Sequence, residues 1–174
     1  GSSSLKQCPY LMFSLMTEAQ IKSYCGNIID FIIKTIDLGG YVYGVFDEAK
    51  ILCNAEVDYK FPHELFIYGY NKDKEEFYVG DFTFTDKYSH NTVSFADVER
   101  GYEVITEQDD HIFKDDYKGG RGLYVIIKNT DTATYELDLE LIKVNLREYL
   151  NSVDSKNHFR MMRNRFNDTT FGIK

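Results

Sequence analysis

His63-Glu-Leu-Phe-Ile-Tyr-Gly-Tyr70, then Asn71-Lys72-Asp73, then Lys74-Glu-Glu-Phe77-Tyr-Val-Gly-Asp81 is the stretch on which the fold turns. Two apolar and aromatic runs flank a cluster of turn-forming residues, the pattern of an antiparallel hairpin. With Asn71 to Asp73 as the loop, Tyr70 faces Lys74 and His63 faces Asp81. One face then carries His63, Leu65, Ile67, Gly69, Phe77, Val79 and Asp81, apolar except at its open end, as a core face should be. The other carries Glu64, Phe66, Tyr68, Tyr70, Glu76, Tyr78 and Gly80. Facing residues hold their Cβ atoms about 4.5–5.5 Å apart, so the His63 Nδ1–H can donate to Asp81. A two-residue slip in register would leave the pair diagonal and still in range.

That pairing has a chemical use. A carboxylate on Nδ1 selects the tautomer and stabilises the imidazolium, which leaves Nε2 as a general base. A thiol beside Nε2 would become a thiolate nucleophile. The ordinary reading of the same two residues is an ion pair that closes the hairpin.

Around the hairpin the chain reads as helices and strands in no alternating order. Cys8-Pro9 and the run Tyr10 to Met16 predict a short helix with Pro at its first position. Thr17, Glu18 and Gln20 predict the start of a second. Asn27 is an N-cap, and Ile28, Ile29, Phe31, Ile32, Ile33 and Ile36 form a wide apolar helical face that Gly39-Gly40 ends. Tyr41 to Phe46 reads as a buried strand; Lys50 to Val57 is ambiguous between a short strand and none. Thr85 to Asn91 is polar. Ser94 caps a helix through Phe95, Val98, Tyr102 and Ile105; Leu123 to Ile127 is a strand; Asp138 to Leu150 is helical by spacing. The class expected is α+β, with helices packed on an antiparallel sheet.

The chain has 174 residues, enough for one domain with a real core. Residues 1–4 (Gly-Ser-Ser-Ser) read as a cloning scar or flexible tail, 5–152 as the domain, and 153–174 as a polar, basic tail that either stands apart or continues it. Twenty Lys+Arg oppose 28 Asp+Glu for a net charge of −8, the wrong sign for clamping nucleic acid or an anionic membrane surface. No apolar run approaches the ~20 residues that cross a bilayer. Three cysteines cannot all pair, no CxxC occurs, and no signal peptide is visible. The expectation is free thiols in a reducing cytoplasm.

The stretch Asn27 to Tyr43, then Phe46-Asp47-Glu48, then His63 to Tyr70 and Phe77 to Phe82 resembles a papain-like family. Val93 to Val98 and Leu146 to Ser152 also fit its pattern. It is similar to the N-terminal domain of butirosin biosynthesis protein H and its relatives in peptide-natural-product clusters, and distantly to the double-glycine bacteriocin-processing peptidases. The resemblance covers Asn27 to Ser152. It implies a papain-like fold and a Cys-His-Asp site without metal or other cofactor. The implied reaction is amide hydrolysis or acyl transfer from a carrier-protein thioester to an amine, so the implied partner is an acyl or peptidyl carrier protein or a peptide. By position, His63 matches the general base and Asp81 the orienting acid. Such families place the nucleophile at a helix N-terminus ahead of the histidine. Cys8 is the first candidate, with Gln7 beside it as an oxyanion donor. Cys25 is the second and Cys53 the third; a thiol outside this chain is the remaining alternative. For each cysteine the ordinary reading is a small core hydrophobe. A papain-like domain without a usable thiol would be a binding or adaptor module.

Other features read more plainly. Asp109, Asp110, His111, Asp115 and Asp116 could hold a hard cation but lack the EF-hand glycine and terminal glutamate, so a solvated loop is expected. Gly119-Gly-Arg-Gly122 is a turn rather than a phosphate loop. His90 and His158 stand in polar segments. Tyr68, Tyr70 and Tyr78 form an outer stripe that packs, and Arg160, Arg163 and Arg165 form a solvated tail that could meet an acidic carrier protein.

Overall fold

In the computed structural model the described residues are 8, 10–52, 59–82, 87–106, 109, 121–129 and 137–153. The elements in order are β1 (Leu11–Thr17), α1 (Glu18–Cys25), α2 (Ile28–Asp37), β2 (Gly40–Asp47), α3 (Glu48–Leu52), β3 (Pro62–Asn71), β4 (Glu76–Asp81), β5 (Ser89–Ser94), α4 (Phe95–Glu103), β6 (Gly122–Lys128) and α5 (Leu139–Leu150). The six strands form one antiparallel sheet in the order β1-β6-β2-β3-β4-β5. The fold is α+β, as the mixed order of helices and strands predicts.

Local chemistry explains the helix starts. Thr17 and Gln20 form a reciprocal capping box at α1, Asn27 accepts from the Asp30 N–H at 2.8 Å, and Ser94 accepts from the Asp97 N–H at 3.1 Å. Gly39, at φ +79°, turns the chain from α2 into β2. α2 then lays Ile28, Phe31 and Ile32 on the sheet, and α4 adds Val98 and Tyr102. Opposite them the sheet offers Val42, Phe46, Leu65, Ile67, Phe77, Val79, Val93 and Leu123, all within one buried cluster. Each such large side chain contributes about 1.5–3 kcal/mol by leaving water. The other face of the sheet carries a smaller cluster of Val45, Ile105 and Tyr124, with Leu15 and Tyr43 against it.

Three expectations change. The stretch from Tyr10 to Met16 is not a helix: Leu11–Thr17 is an edge strand, paired from Leu11↔Lys128 to Thr17↔Gly122. Lys50 belongs to the short helix α3, and the stretch 53–58 lies outside the described residues. The polar stretch ends in a strand, because Ser89–Ser94 finds β4 beside it.

The hairpin register also differs from the expected one. Four residues, 72–75, turn between Asn71 and Glu76 instead of three. Asn71 Oδ1 accepts from the Lys74 N–H at 3.1 Å, and Glu75 takes φ +54°. A bulge between Ile67 and Gly69 then sets Ile67 against Val79. The bulge turns Tyr70 to the helix-covered face, where its ring packs against the edge of the core cluster and its exposed OH donates to Asp37 at 2.7 Å, so it leaves the outer stripe. Tyr68 and Tyr78 stay there, with ring centroids 6.3 Å apart. Gly69 is required for that packing: a Cβ there would come within 2.7 Å of the Tyr78 ring.

The chain divides into two compact units, residues 1–132 and 133–174. The division falls inside the expected 5–152 domain and assigns α5 to the second unit. α5 is capped by Asp138, whose carboxylate accepts from the Leu141 N–H at 2.8 Å. It buries none of its residues, and Leu139, Ile142, Leu146 and Leu150 are exposed. Among the described residues no helix is long and apolar enough to cross a membrane.

Candidate functional site

The site is built where β2 ends. Asp47 closes that strand, and Glu48 opens α3. The Asp47 carboxylate accepts from the Ala49 N–H at 3.1 Å and from the Phe61 N–H at 2.9 Å, so one buried side chain caps α3 and ties down the approach to β3. The Glu48 N–H donates back to the Phe61 carbonyl at 3.0 Å. These bonds fix the direction in which Glu48 leaves the backbone.

His63 enters from β3, opposite Phe46 on β2, and so shares the helix-covered face of the sheet. Its Nδ1 lies 3.0 Å from Glu48 Oε1 and 3.5 Å from Asp81 Oδ1. A carboxylate can only accept, so in the neutral ring the hydrogen bond to Glu48 puts the proton on Nδ1 and the lone pair on Nε2. Both carboxylates are buried, Glu48 at 1% and Asp81 at 3% exposure. The imidazole is a third exposed and stacks on the Phe61 ring, centroids 5.7 Å apart and planes 12° off parallel. The arrangement is an oriented imidazole: Nδ1 is held between two buried acids.

His63 and Asp81 are therefore together, as expected, but not as directly facing residues. Phe66↔Gly80 and Ile67↔Val79 set a register two residues away from the expected one, and the pair meets diagonally. The two-residue slip follows from the longer turn and the bulge. The stronger partner of Nδ1 is Glu48, to which the sequence reading gave no role. Its signal lay in Phe46-Asp47-Glu48, where two acids directly follow a buried apolar strand.

Cys8 does not join them. It lies in the turn before β1, where its carbonyl accepts from the Leu11 N–H at 3.2 Å. β1 is three strands from β3, and Leu11 pairs with Lys128 at the end of the sheet away from His63. At about 3.3 Å per residue and 4.8 Å per strand, the separation is on the order of 25 Å. Cys8 is thus not the thiol for His63, and it does not start a helix. Cys25 ends α1, half-buried against the core cluster, where it acts as a small apolar side chain. Cys53 and Gln7 lie outside the described residues.

Of the remaining candidates, Asp109 is used structurally: it accepts from the Thr106 N–H and hydroxyl and pairs with Lys60 at 3.1 Å, contacts that hold its carboxyl below the usual range. Asp110, His111, Asp115, Asp116, Gly119, Gly120, His158 and the tail arginines lie outside the described residues. Arg121 grips Glu18 through two bonds at 2.7 and 2.8 Å. It also donates to the Tyr102, Glu103 and Ile105 carbonyls at the end of α4, and its guanidinium sits 4.4 Å over the Tyr102 ring. This lock drives the Glu18 carboxyl down to about 2. On the outer face, burial and the nearby Glu64 push the Tyr43 phenol up to about 12. His90 Nδ1 lies 3.1 Å from the Tyr68 hydroxyl.

The chain matches no family model, no curated protein and no solved structure.

Proposed function

We propose that this chain is a papain-like enzyme of acyl transfer or amide hydrolysis, with His63 as its general base and acid. The observation that carries the reading is the 3.0 Å contact between His63 Nδ1 and the buried Glu48 carboxylate. Glu48 orients the ring, and Asp81 at 3.5 Å adds negative charge that stabilises the imidazolium. Nε2 takes the proton from a cysteine thiol, and the thiolate attacks the carbonyl of a thioester or amide; the C–S or C–N bond breaks, the carrier thiol or amine leaves with the proton from His63, and the acyl group then passes from the cysteine to an amine or to water that His63 deprotonates. With Cys8 removed, Cys53, Cys25 and a thiol outside this chain remain as the nucleophile, and Cys25 fits least because it packs against the core cluster. The substrate class is the one the resemblance implies, an acyl group on a carrier protein or a peptide of a natural-product pathway.

A second reading is favoured by the distance of Cys8 from His63: a papain-like module that binds a carrier protein or peptide without reacting. Alkylation separates the two. Each cysteine is reacted with iodoacetamide across about pH 5 to 9 and followed by mass spectrometry, in wild type and His63→Ala. The enzyme reading expects one cysteine to react quickly near about pH 6 and to slow in the variant. Thiols that react only above about pH 8, as ordinary ones do, would leave the binding module.

A further inference from the structure

Glu48, His63 and Asp81 come from three different elements, α3, β3 and the end of β4, yet one donor atom of each lies within 4.8 Å of the other two. We propose that this trio binds a divalent transition-metal ion of the zinc or manganese class, with His63 Nδ1 and one oxygen from each carboxylate as ligands.

The spacing carries the proposal. Zinc holds nitrogen and oxygen ligands at about 2.0–2.2 Å, which puts neighbouring ligands of a tetrahedral or octahedral ion about 3.0–3.5 Å apart. Nδ1 stands 3.0 Å and 3.5 Å from the two carboxylate oxygens. An ion can therefore enter between them with little movement of the backbone.

The donor set narrows the ion. One imidazole nitrogen with two carboxylate oxygens is too nitrogen-rich for calcium, which takes oxygen alone, and lacks the thiolates of copper(I) sites. Three protein ligands leave further coordination positions for water. A dication also balances the two carboxylates, both nearly removed from water.

The support around the ligands is already in place. The Phe82 N–H donates to Asp81 Oδ1. The Glu48 backbone is pinned through Phe61, and Asp47 anchors both α3 and Phe61. Outer contacts of this kind aim ligands and set their affinity.

An ion on Nδ1 and a proton on Nδ1 exclude each other. In the ion-bound form the ring proton moves to Nε2, and His63 is no longer a base. This consequence rests on the acyl-transfer reading; the binding itself does not.

The test is calorimetric titration of the full chain, stripped with chelator, with zinc chloride and separately with manganese chloride. Wild type, Glu48→Gln, Asp81→Asn and His63→Ala are compared, with circular dichroism as the check on folding. One ion per chain is expected, weakened at least about tenfold by each substitution. A second measurement needs no variant: ¹⁵N spectra of wild-type His63 should show Nδ1 shifting to a metal-bound position while Nε2 gains the proton. No binding of either ion would overturn the proposal. So would binding that all three substitutions leave unchanged while the His63 resonances stay still, since that ion would sit on thiols or surface acids. The readout is binding rather than turnover, so the site can fail as a metal site and stand as an acyl-transfer site, or the reverse.

Discussion

Glu48 and Asp81 hold the same nitrogen but not equally. At 3.0 Å Glu48 makes the hydrogen bond; at 3.5 Å Asp81 acts mainly through its charge. Removing the first should release the ring, and removing the second should leave it oriented. On a thioester substrate, kcat/KM should therefore fall by about 10²-fold or more in Glu48→Gln, and by less in Asp81→Asn. An equal or reversed order would assign the orienting role to Asp81. The histidine and the aspartate were legible because a hairpin is local, and its apolar alternation puts both on one face. Glu48 was not, because its position depends on Asp47 reaching Ala49 and Phe61, bonds that form only once β2 and β3 have paired. Cys8 misled because a cysteine followed by proline before an apolar run looks like a helix start.

Elements with their own end signals or a dense run of β-branched and aromatic residues were read correctly, and β1, which has neither, was not. Thr17, Asn27 and Ser94 each carry their cap within three residues, so α1, α2 and α4 were predictable. β1 becomes a strand only because β6, more than a hundred residues later, lies beside it. Two predictions belong to this scale. Thr17→Ala should cost about 1 kcal/mol in denaturant unfolding by opening the capping box. Glu18 is held at about 2 by Arg121, against an ordinary 4.5. A carboxyl lowered on folding stabilises the native state above its unfolded value and loses that contribution as pH falls towards the folded one. Wild type should accordingly lose stability between about pH 4.5 and 2, and Glu18→Gln should lose less across that window. Parallel acid-unfolding curves for the two proteins would show that the Arg121 lock does not hold Glu18.

For the first unit, stability rests on the cluster between the helices and one face of the sheet. Phe77 is fully buried there, its ring 4.4 Å from Phe95, so Phe77→Ala should destabilise by about 3–5 kcal/mol. The α+β class was legible from the mixed order of elements. The strand order was not, because β6 inserts between β1 and β2 and no local signal announces it. That sheet brings the end of β2, the start of β3 and the end of β4 to one corner, and the functional reading depends on what the corner does to His63. The most direct measurement is the tautomer of His63 from long-range ¹H–¹⁵N correlation, in chelator at about pH 9, above the usual imidazole range. The account predicts the proton on Nδ1 and a bare Nε2, with that preference lost in Glu48→Gln. A proton on Nε2 in the wild type would contradict it, because His63 would then have no lone pair at the nitrogen that faces away from the acids.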